Sequence, residues 1–391
     1  MHLRAEVLTE RGQLHAVHAA WDELARAQAA PCSAPSWGLA WWDHAAPAGA
    51  QLRVIVVRDG DEVVGIAPLY RHRGRGVMRY GFIGDRVSSP VGPLARAGAQ
   101  AQVAAAIAAE LARCRPRPDV VAFGNLPATS PWPDLLRAHW SGRGRPLLLR
   151  REGLATPYVE LDGSYDQWVA QQSRNFRQQL RRHRRRLEAR GAVFRMVTDA
   201  AELDDRIDDF ARLHHARFEG RGGSAVLDGG VMRMLSEAGT RMLAGERFRL
   251  WVIEADGKVI SAHLLLAAGG RVTYWLGGFD DDWGSDQPAL QTLAVALEHT
   301  FATGGTVFDL GPGLQDYKLR FTKQTVPGID ALLVPPGPRR ALTLARVLPP
   351  RLRHEAIRRA RRAVPQETKD AVRGWLRRVR PGAAQQPDHL V

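Results

Sequence analysis

Two stretches decide the fold: LRVIVVRDGDEVVGIAPL at Leu52–Leu69 and LWVIEADGKVISAHLLL at Leu250–Leu266. Each is a β-branched run, an Asp-Gly turn and a second apolar run, the pattern of a hairpin. The same order of elements surrounds both. A third strand follows at Met78–Gly84 and at Arg271–Phe279, then a helix at Ala99–Cys114 and at Pro288–Thr303. A short strand closes each unit, at Asp119–Gly124 and Thr306–Gly311. Two helical patterns precede each hairpin: Leu14–Ala29 and Trp37–Ala45 in the first half, Glu202–Glu219 and Gly229–Leu243 in the second. This is an internal duplication of an α/β unit with a mostly antiparallel sheet. Two copies of about 150 to 180 residues fit the chain length.

The chain has 391 residues, 45% hydrophobic and 25% charged, which is globular composition. The expected organisation is an N-terminal unit over 1–145, a second unit over 146–335 and a basic tail over 336–391. Strands are expected at Pro146–Arg151 and Thr156–Leu161 in the connector. Cys32 and Cys114 cannot make a disulfide framework, and no His spacing suits a metal, so none is predicted. No apolar run reaches membrane-spanning length and Met1–Leu14 has no apolar signal core, which predicts a cytoplasmic protein.

The net charge of +14 is concentrated in two places. The tail carries 14 Lys+Arg against 4 Asp+Glu, and Gln171–Arg190 carries 8 Arg against 1 Glu, so the remainder sums to −3. The pI therefore describes two segments and not a general nucleic-acid surface. In the first of these, Phe176, Leu180 and Leu187 form one apolar stripe on a cationic helix, with Gly191 fitted to its end. In the tail, Val372, Trp375, Leu376 and Val379 share a face that could rest on an anionic membrane surface.

Four stretches carry a family resemblance: SRNFRQQLRRHRRRLEARG from Ser173, LHHARFEGRGG from Leu213, YWLGGFDDDWGSDQPALQTL from Tyr274 and FDLGPGLQDYKLRF from Phe308. In this order they resemble the GNAT-fold acyltransferases of the CelD/BcsL group, also called the BioF2-like acetyltransferase domain. The likeness spans Thr156 to Thr325, with Phe218 where that group has Trp. The first half is similar to the degenerate N-terminal copy of such proteins. The Fem-type aminoacyltransferases share the architecture and a lysine near the final strand.

The resemblance implies two tandem GNAT-like domains and acyl-CoA, with acetyl-CoA as the expected form, as co-substrate. It places the thioester along Leu276, Gly277 and Gly278, and the pyrophosphate at the helix start around Gln287 and Ala289. This sequence lacks the usual glycine-rich phosphate loop, and Asp280, Asp281, Asp282 and Asp286 stand close by.

Acyl transfer to an amine needs a base, an oxyanion donor and an acid for the leaving group. No nucleophile elbow or Cys/His pair is present, so direct attack in a ternary complex is expected. Asp309 is a candidate base or a structural carboxylate. Lys318 could steady an oxyanion or a substrate anion, Tyr317 could protonate a thiolate or simply pack, and His263 could be a base or a core histidine. His214 and Arg217, on one helix face, are candidates for the acceptor pocket, as is Arg177 from the basic helix. The acceptor that the resemblance implies is an envelope or exopolysaccharide precursor, and the basic helix suits an anionic one. The alternatives are an aminoacyl-tRNA-dependent enzyme, the one reading that involves nucleic acid, and a non-catalytic clamp for an anionic glycan or the inner membrane face.

Overall fold

The two hairpins grow into two sheets. A computed structural model describes residues 3–74, 76–219 and 226–349. The amphipathic pattern at Val372–Val379 and the end of the Leu213 stretch lie outside these residues.

The strands are β1 (Leu3–Leu8), β2 (Gln51–Asp59), β3 (Glu62–Gly74), β4 (Val77–Phe82), β5 (Leu94–Ala95), β6 (Val120–Pro127), β7 (Leu147–Glu152), β8 (Thr156–Glu160), β9 (Val193–Met196), β10 (Phe248–Ala255), β11 (Lys258–Ala268), β12 (Arg271–Phe279), β13 (Val307–Asp309), β14 (Thr325–Val326) and β15 (Gly328–Val334). The helices are α1 (His18–Ala27), α2 (Pro35–Ala45), α3 (Gln100–Arg113), α4 (Trp132–Ala138), α5 (Tyr165–Gln171), α6 (Arg174–Ala189), α7 (Leu203–Glu219), α8 (Gly229–Met242) and α9 (Pro288–Ala302).

The duplication extends to backbone detail. In β2–β3 the register slips at Val64, between the pairs Val57↔Gly65 and Arg58↔Val63. In β10–β11 it slips at Ile260, between Ile253↔Ser261 and Glu254↔Val259. The second hairpin closes through Asp256 and Gly257, at φ 51° and 71°, a two-residue turn whose twist matches the strands.

The first sheet borrows its last strand from beyond the second unit. The first runs β1-β2-β3-β4-β6-β15-β7 with β5 on β3, and the second runs β14-β8-β13-β12-β11-β10-β9. β8, which follows the first half, pairs with β13 of the second sheet. β15, near the end of the described chain, pairs with β6 of the first. Sheet membership therefore departs from the expected split at 145/146: β7 and β15, both within 146–335, belong to the first sheet. Alternate residues explain why β15 crosses over. Ala331 and Leu333 enter the large core shared by both halves, while Leu332 and Val334 cover Val77, Val120 and Ala122 on the other face.

That large core also holds Trp37, Trp41 and Phe82 from the first half with Phe210, Met234 and Phe248 from the second. A second core lies under α9, where Leu293 and Leu297 meet Trp168, Phe176, Leu180, Tyr274, Phe308 and Phe321. α6 lays Phe176 and Leu180 there, while its Leu187 enters a separate cluster with Ile253, Ile260 and Trp283. Phe176, Leu180 and Leu187 are buried, together with His183 on the same face. Burying each apolar side chain contributes about 1.5–3 kcal/mol, enough to seat a helix that is otherwise arginine. Gly191 ends this stretch at φ 75°.

Candidate active site

The site begins where two strands separate. β12 and β13 run parallel through three pairs, Arg271↔Val307, Val272↔Phe308 and Thr273↔Asp309. β12 then continues from Tyr274 to Phe279, while the chain after Asp309 turns away through Gly311. Gly311 sits at φ +72°, and a Cβ there would lie 2.6 Å from the Tyr274 carbonyl oxygen, so only glycine makes this turn against β12. β12 carries a bulge at Trp275, between Leu264↔Leu276 and Leu265↔Tyr274. The paired glycines serve close packing instead. A Cβ on Gly277 would meet the His263 ring at 2.4 Å, and one on Gly278 would meet the α7 backbone at 2.5 Å.

Lys318 lies at the mouth of this fork, 4% exposed. Its Nζ donates to the Gly311 and Pro312 carbonyl oxygens at 3.1 and 2.9 Å and stands 5.7 Å from the Tyr274 ring centre. Burial pulls its pKa down to about 7, with the Asp309 carboxylate opposing and the Arg217 guanidinium adding to the fall. Tyr317 and Tyr274 share a hydrogen bond, and burial holds both phenols above the ordinary value. Asp309 is buried, and its pKa is raised chiefly by that burial. Its Oδ1 accepts the Gly311 N–H at 2.8 Å and its Oδ2 accepts from Arg271 Nη1 at 3.3 Å. Both oxygens thus shape the turn that holds Lys318, which is the structural alternative for this carboxylate.

His263 faces the same cluster, its ring 5.3 Å from that of Tyr274. It is 2% exposed, and burial, reinforced by Arg217, lowers its pKa to about 3. Such an imidazole is neutral near pH 7 and a weak proton acceptor. His214 reaches across from α7 to the Gly277 backbone, and burial sets its pKa near 4. Arg217, on the same helix face, lies over the Phe279 ring at 5.7 Å. The structure thus gathers Asp309, Lys318, Tyr317, His263, His214 and Arg217 around one strand. It does not bring Arg177 there: that guanidinium donates to the Ala170 and Gln172 carbonyls at 2.8 and 2.7 Å, closing the C-terminus of α5.

At the other prong of the fork, Gln287 caps α9 in a left-handed conformation, φ 51°, followed by Pro288. The Leu290 and Gln291 amides turn back to the Gln287 carbonyl, so fewer free N–H groups face outward than the sequence suggests. Side chains supply positive charge here. Arg320 Nη1 donates to Gln287 Oε1 at 3.3 Å, and its other nitrogen bonds Gln179 on α6. Of the acidic residues nearby, Asp286 is buried between Arg190 at 2.8 Å and Arg186 at 3.6 Å, with Arg190 stacked 3.4 Å over Trp283. Asp280 caps its own short turn by accepting the Asp282 N–H. Part of the charge of α6 is therefore spent neutralising this loop. Arg174, Arg181 and Arg185 are exposed, with no carboxylate against them among the described residues.

The first half lacks this chemistry. Three residues beyond the matching bulges, Ala67 stands where the second half has His263. Two residues before the matching glycines 124 and 311, Ala122 stands where it has Asp309. Three contributors escaped the sequence reading: Arg271, which pins Asp309; Arg320; and buried His183 on α6. Arg320 follows Tyr317-Lys318 by two residues in a quoted stretch, so a signal existed. Arg271 gave none, because its partner lies 38 residues away.

Residues 174–319 match the family described as an acetyltransferase (GNAT) domain. The second half carries a GNAT acyltransferase domain. No curated protein matches the chain. Among solved structures, FemX superposes with a TM-score of 0.55 at 13% identity, over 83% of this chain and 96% of that one. The C-terminal domain of a putative lysylphosphatidylglycerol synthetase from Agrobacterium fabrum gives 0.52 at 15%, over 85% and 95%. A conserved protein of unknown function from Bacteroides thetaiotaomicron gives 0.51 at 11%, over 84% and 100%. At these identities the likeness is one of fold: two GNAT-like α/β units, here in a mixed arrangement of two sheets flanked by helices. Among the described residues no helix is long and apolar enough to cross a membrane.

Proposed function

We propose that the second half is an acyl-CoA-dependent acyltransferase of the CelD/BcsL type, moving an acyl group, acetyl in the simplest case, to an amine or hydroxyl of an envelope or exopolysaccharide precursor. The observation that carries this reading is Lys318, buried and poised near neutrality at the fork between β12 and β13 of the matched GNAT domain. The residues present fit a CoA thioester in two respects. The β13 side of Tyr274–Phe279 is not taken by β13, and Arg320 with Gln287 offers a polar, cationic rim at the start of α9. A thioester supplies an acyl carbon already activated toward nucleophiles.

The chain's own residues then manage protons. Neutral Lys318 has two N–H groups, one for each carbonyl it meets, leaving its lone pair to take a proton from the attacking amine or hydroxyl. Once protonated, it has a third N–H to offer to developing negative charge. Tyr317 stays protonated and is the candidate donor to the departing sulfur. Asp309 and Arg271 hold the turn, and His263 and His214 brace β12 through contacts with Gly277. The first half, lacking the histidine and the carboxylate, is a wall and not a second centre.

A thermal-shift panel of acetyl-CoA, longer acyl-CoAs and free CoA tests the reading. A ligand at 100 times its Kd adds about 2.7 kcal/mol of stability. No shift with any thioester would overturn it. The exposed arginines of α6, together with the fold likeness to FemX and to a putative lysylphosphatidylglycerol synthetase, favour one rival: transfer from an aminoacyl-tRNA. That activity would vanish on RNase treatment and fall steeply with salt.

A further inference from the structure

The turn that carries Lys318 also carries an apolar pair. Of the five large apolar side chains exposed among the described residues, two lie here: Leu314 at 49% and Leu319 at 38%. The Lys318 and Leu319 amides return to the Gln315 carbonyl at 2.9 and 3.3 Å, so Gln315 opens a single helical turn. Leu314 precedes that turn and Leu319 ends it, the two positions that face each other in a hydrophobic staple. On one side of Leu319 is Lys318, buried in the fork. On the other is Arg320, which hydrogen-bonds Gln179 and lies 5.1 Å over the Phe176 ring of α6. Phe321, buried beneath, meets the same ring at 5.6 Å. The apolar pair therefore stands between the candidate active site and the first turns of α6.

The outward face of α6 is cationic. Arg174, Gln178, Arg181 and Arg185 recur at i, i+4, i+7 and i+11, opposite the buried Phe176, Leu180 and Leu187, and all four are exposed. Eight arginines fall within 174–190. The carboxylates paired with them among the described residues, Glu188, Glu298 and Asp286, reach only Arg184, Arg186 and Arg190. In 311–325 the single acid is Asp316, offset by Arg320 and Lys323. Net positive charge thus surrounds the leucines.

We infer that this turn and the arginine stripe of α6 together dock the protein on the surface of an anionic bilayer. The leucines decide for a membrane over a nucleic acid. Phosphodiesters would satisfy the arginines and leave Leu314 and Leu319 in water, whereas a bilayer presents phosphate at its surface and hydrocarbon just beneath. Docked in this way, the fork opens toward the membrane plane, and a lipid-borne acceptor reaches Lys318 without leaving the leaflet. That consequence rests on the acyl-transfer reading; the docking itself does not.

Cys32 and Cys114 are buried, so Leu314→Cys in the full chain can be labelled selectively with the fluorophore NBD. With phosphatidylcholine vesicles containing phosphatidylglycerol, its emission should move to the blue and brighten several-fold. With phosphatidylcholine alone, or in high salt, it should not. The same label at Asp61→Cys, on the exposed β2–β3 turn of the first half, should stay unchanged. Replacing Arg174, Arg181 and Arg185 with glutamine should weaken vesicle partitioning in sedimentation by on the order of a hundredfold, with an unchanged melting midpoint. The basic tail is present in every variant, so binding through the tail alone would leave the Leu314 label and the triple variant unaffected. No blue shift at Leu314, an equal shift at both labels, a shift produced by tRNA in place of vesicles, or undiminished partitioning of the triple variant would overturn the inference. Neither readout contains a thioester, so a failed thermal shift with acyl-CoA overturns the donor reading alone.

Discussion

Replacing Lys318 with methionine should change how stability depends on pH, in a direction fixed by burial. In the folded chain the ammonium has fallen from the ordinary 10.5 to about 7, equivalent to roughly 5 kcal/mol between its charged and neutral forms. Between pH 7 and 10.5 the unfolded chain therefore holds a proton that the folded chain has released. The burial cost is fully present below pH 7 and is relieved as pH rises toward 10.5, so this residue makes the protein more stable in mild alkali. From pH 7 to pH 9 the gain is about 2 kcal/mol. Lys318→Met removes it. The variant also strips the Gly311 and Pro312 carbonyls of their donor, at a cost of about 1–3 kcal/mol each, but that cost is the same at both pH values. Urea unfolding followed by tryptophan fluorescence, for both proteins at pH 7 and pH 9, gives the comparison. The wild-type advantage should grow by about 2 kcal/mol, or the methionine advantage shrink by as much. An identical difference at the two pH values would mean that Lys318 is an ordinary charged lysine, and the proposed proton transfer would fail with it.

Other outcomes follow from single contacts. His263→Leu should flatten the acid side: with folded values near 3 for His263 and an ordinary 6.5 when unfolded, stability drains away as pH falls below 6.5, and the variant should lose about 2 kcal/mol less by pH 4.5 in parallel urea titrations. Gly278→Ala drives a methyl into the α7 backbone and should cost about 1–3 kcal/mol; a neutral midpoint would show that α7 does not rest on β12. Ending the chain after Pro349 should leave the cooperative melt intact, whereas ending it after Pro327, which removes β15 from the first sheet, should abolish that melt in calorimetry.

Much of this architecture is legible in the residues because two local signals agree: Asp-Gly turns between β-branched runs fix the hairpins, and helical stripes fix their neighbours. Arg271–Phe279 is a strand over the expected span, and α9 starts at the expected Pro288. The crossing of β15 into the first sheet was invisible, since Gly328–Val334 was not among the expected strands, whereas Thr156–Glu160 was. The catalytic candidates were found through the motif around Tyr317 and Lys318, yet their roles were not. Only packing reveals that Asp309 is saturated by Gly311 and Arg271, and that Arg177 caps α5. The acidic run after Phe279 looked hostile to phosphate until Asp286 proved to be buried against Arg186 and Arg190.

The borrowed strand sets an order of events at the ribosome. β6 emerges early but waits for its neighbour β15 until some two hundred further residues have been made, about 10–40 s at ordinary elongation rates. Until then the nascent first sheet presents an open edge along β6, lined by Val121, Ala122 and Phe123, and it closes only as translation nears its end. The first repeat cannot complete its sheet until the second has been made, whereas every strand of the second sheet comes from the continuous stretch Thr156–Val326.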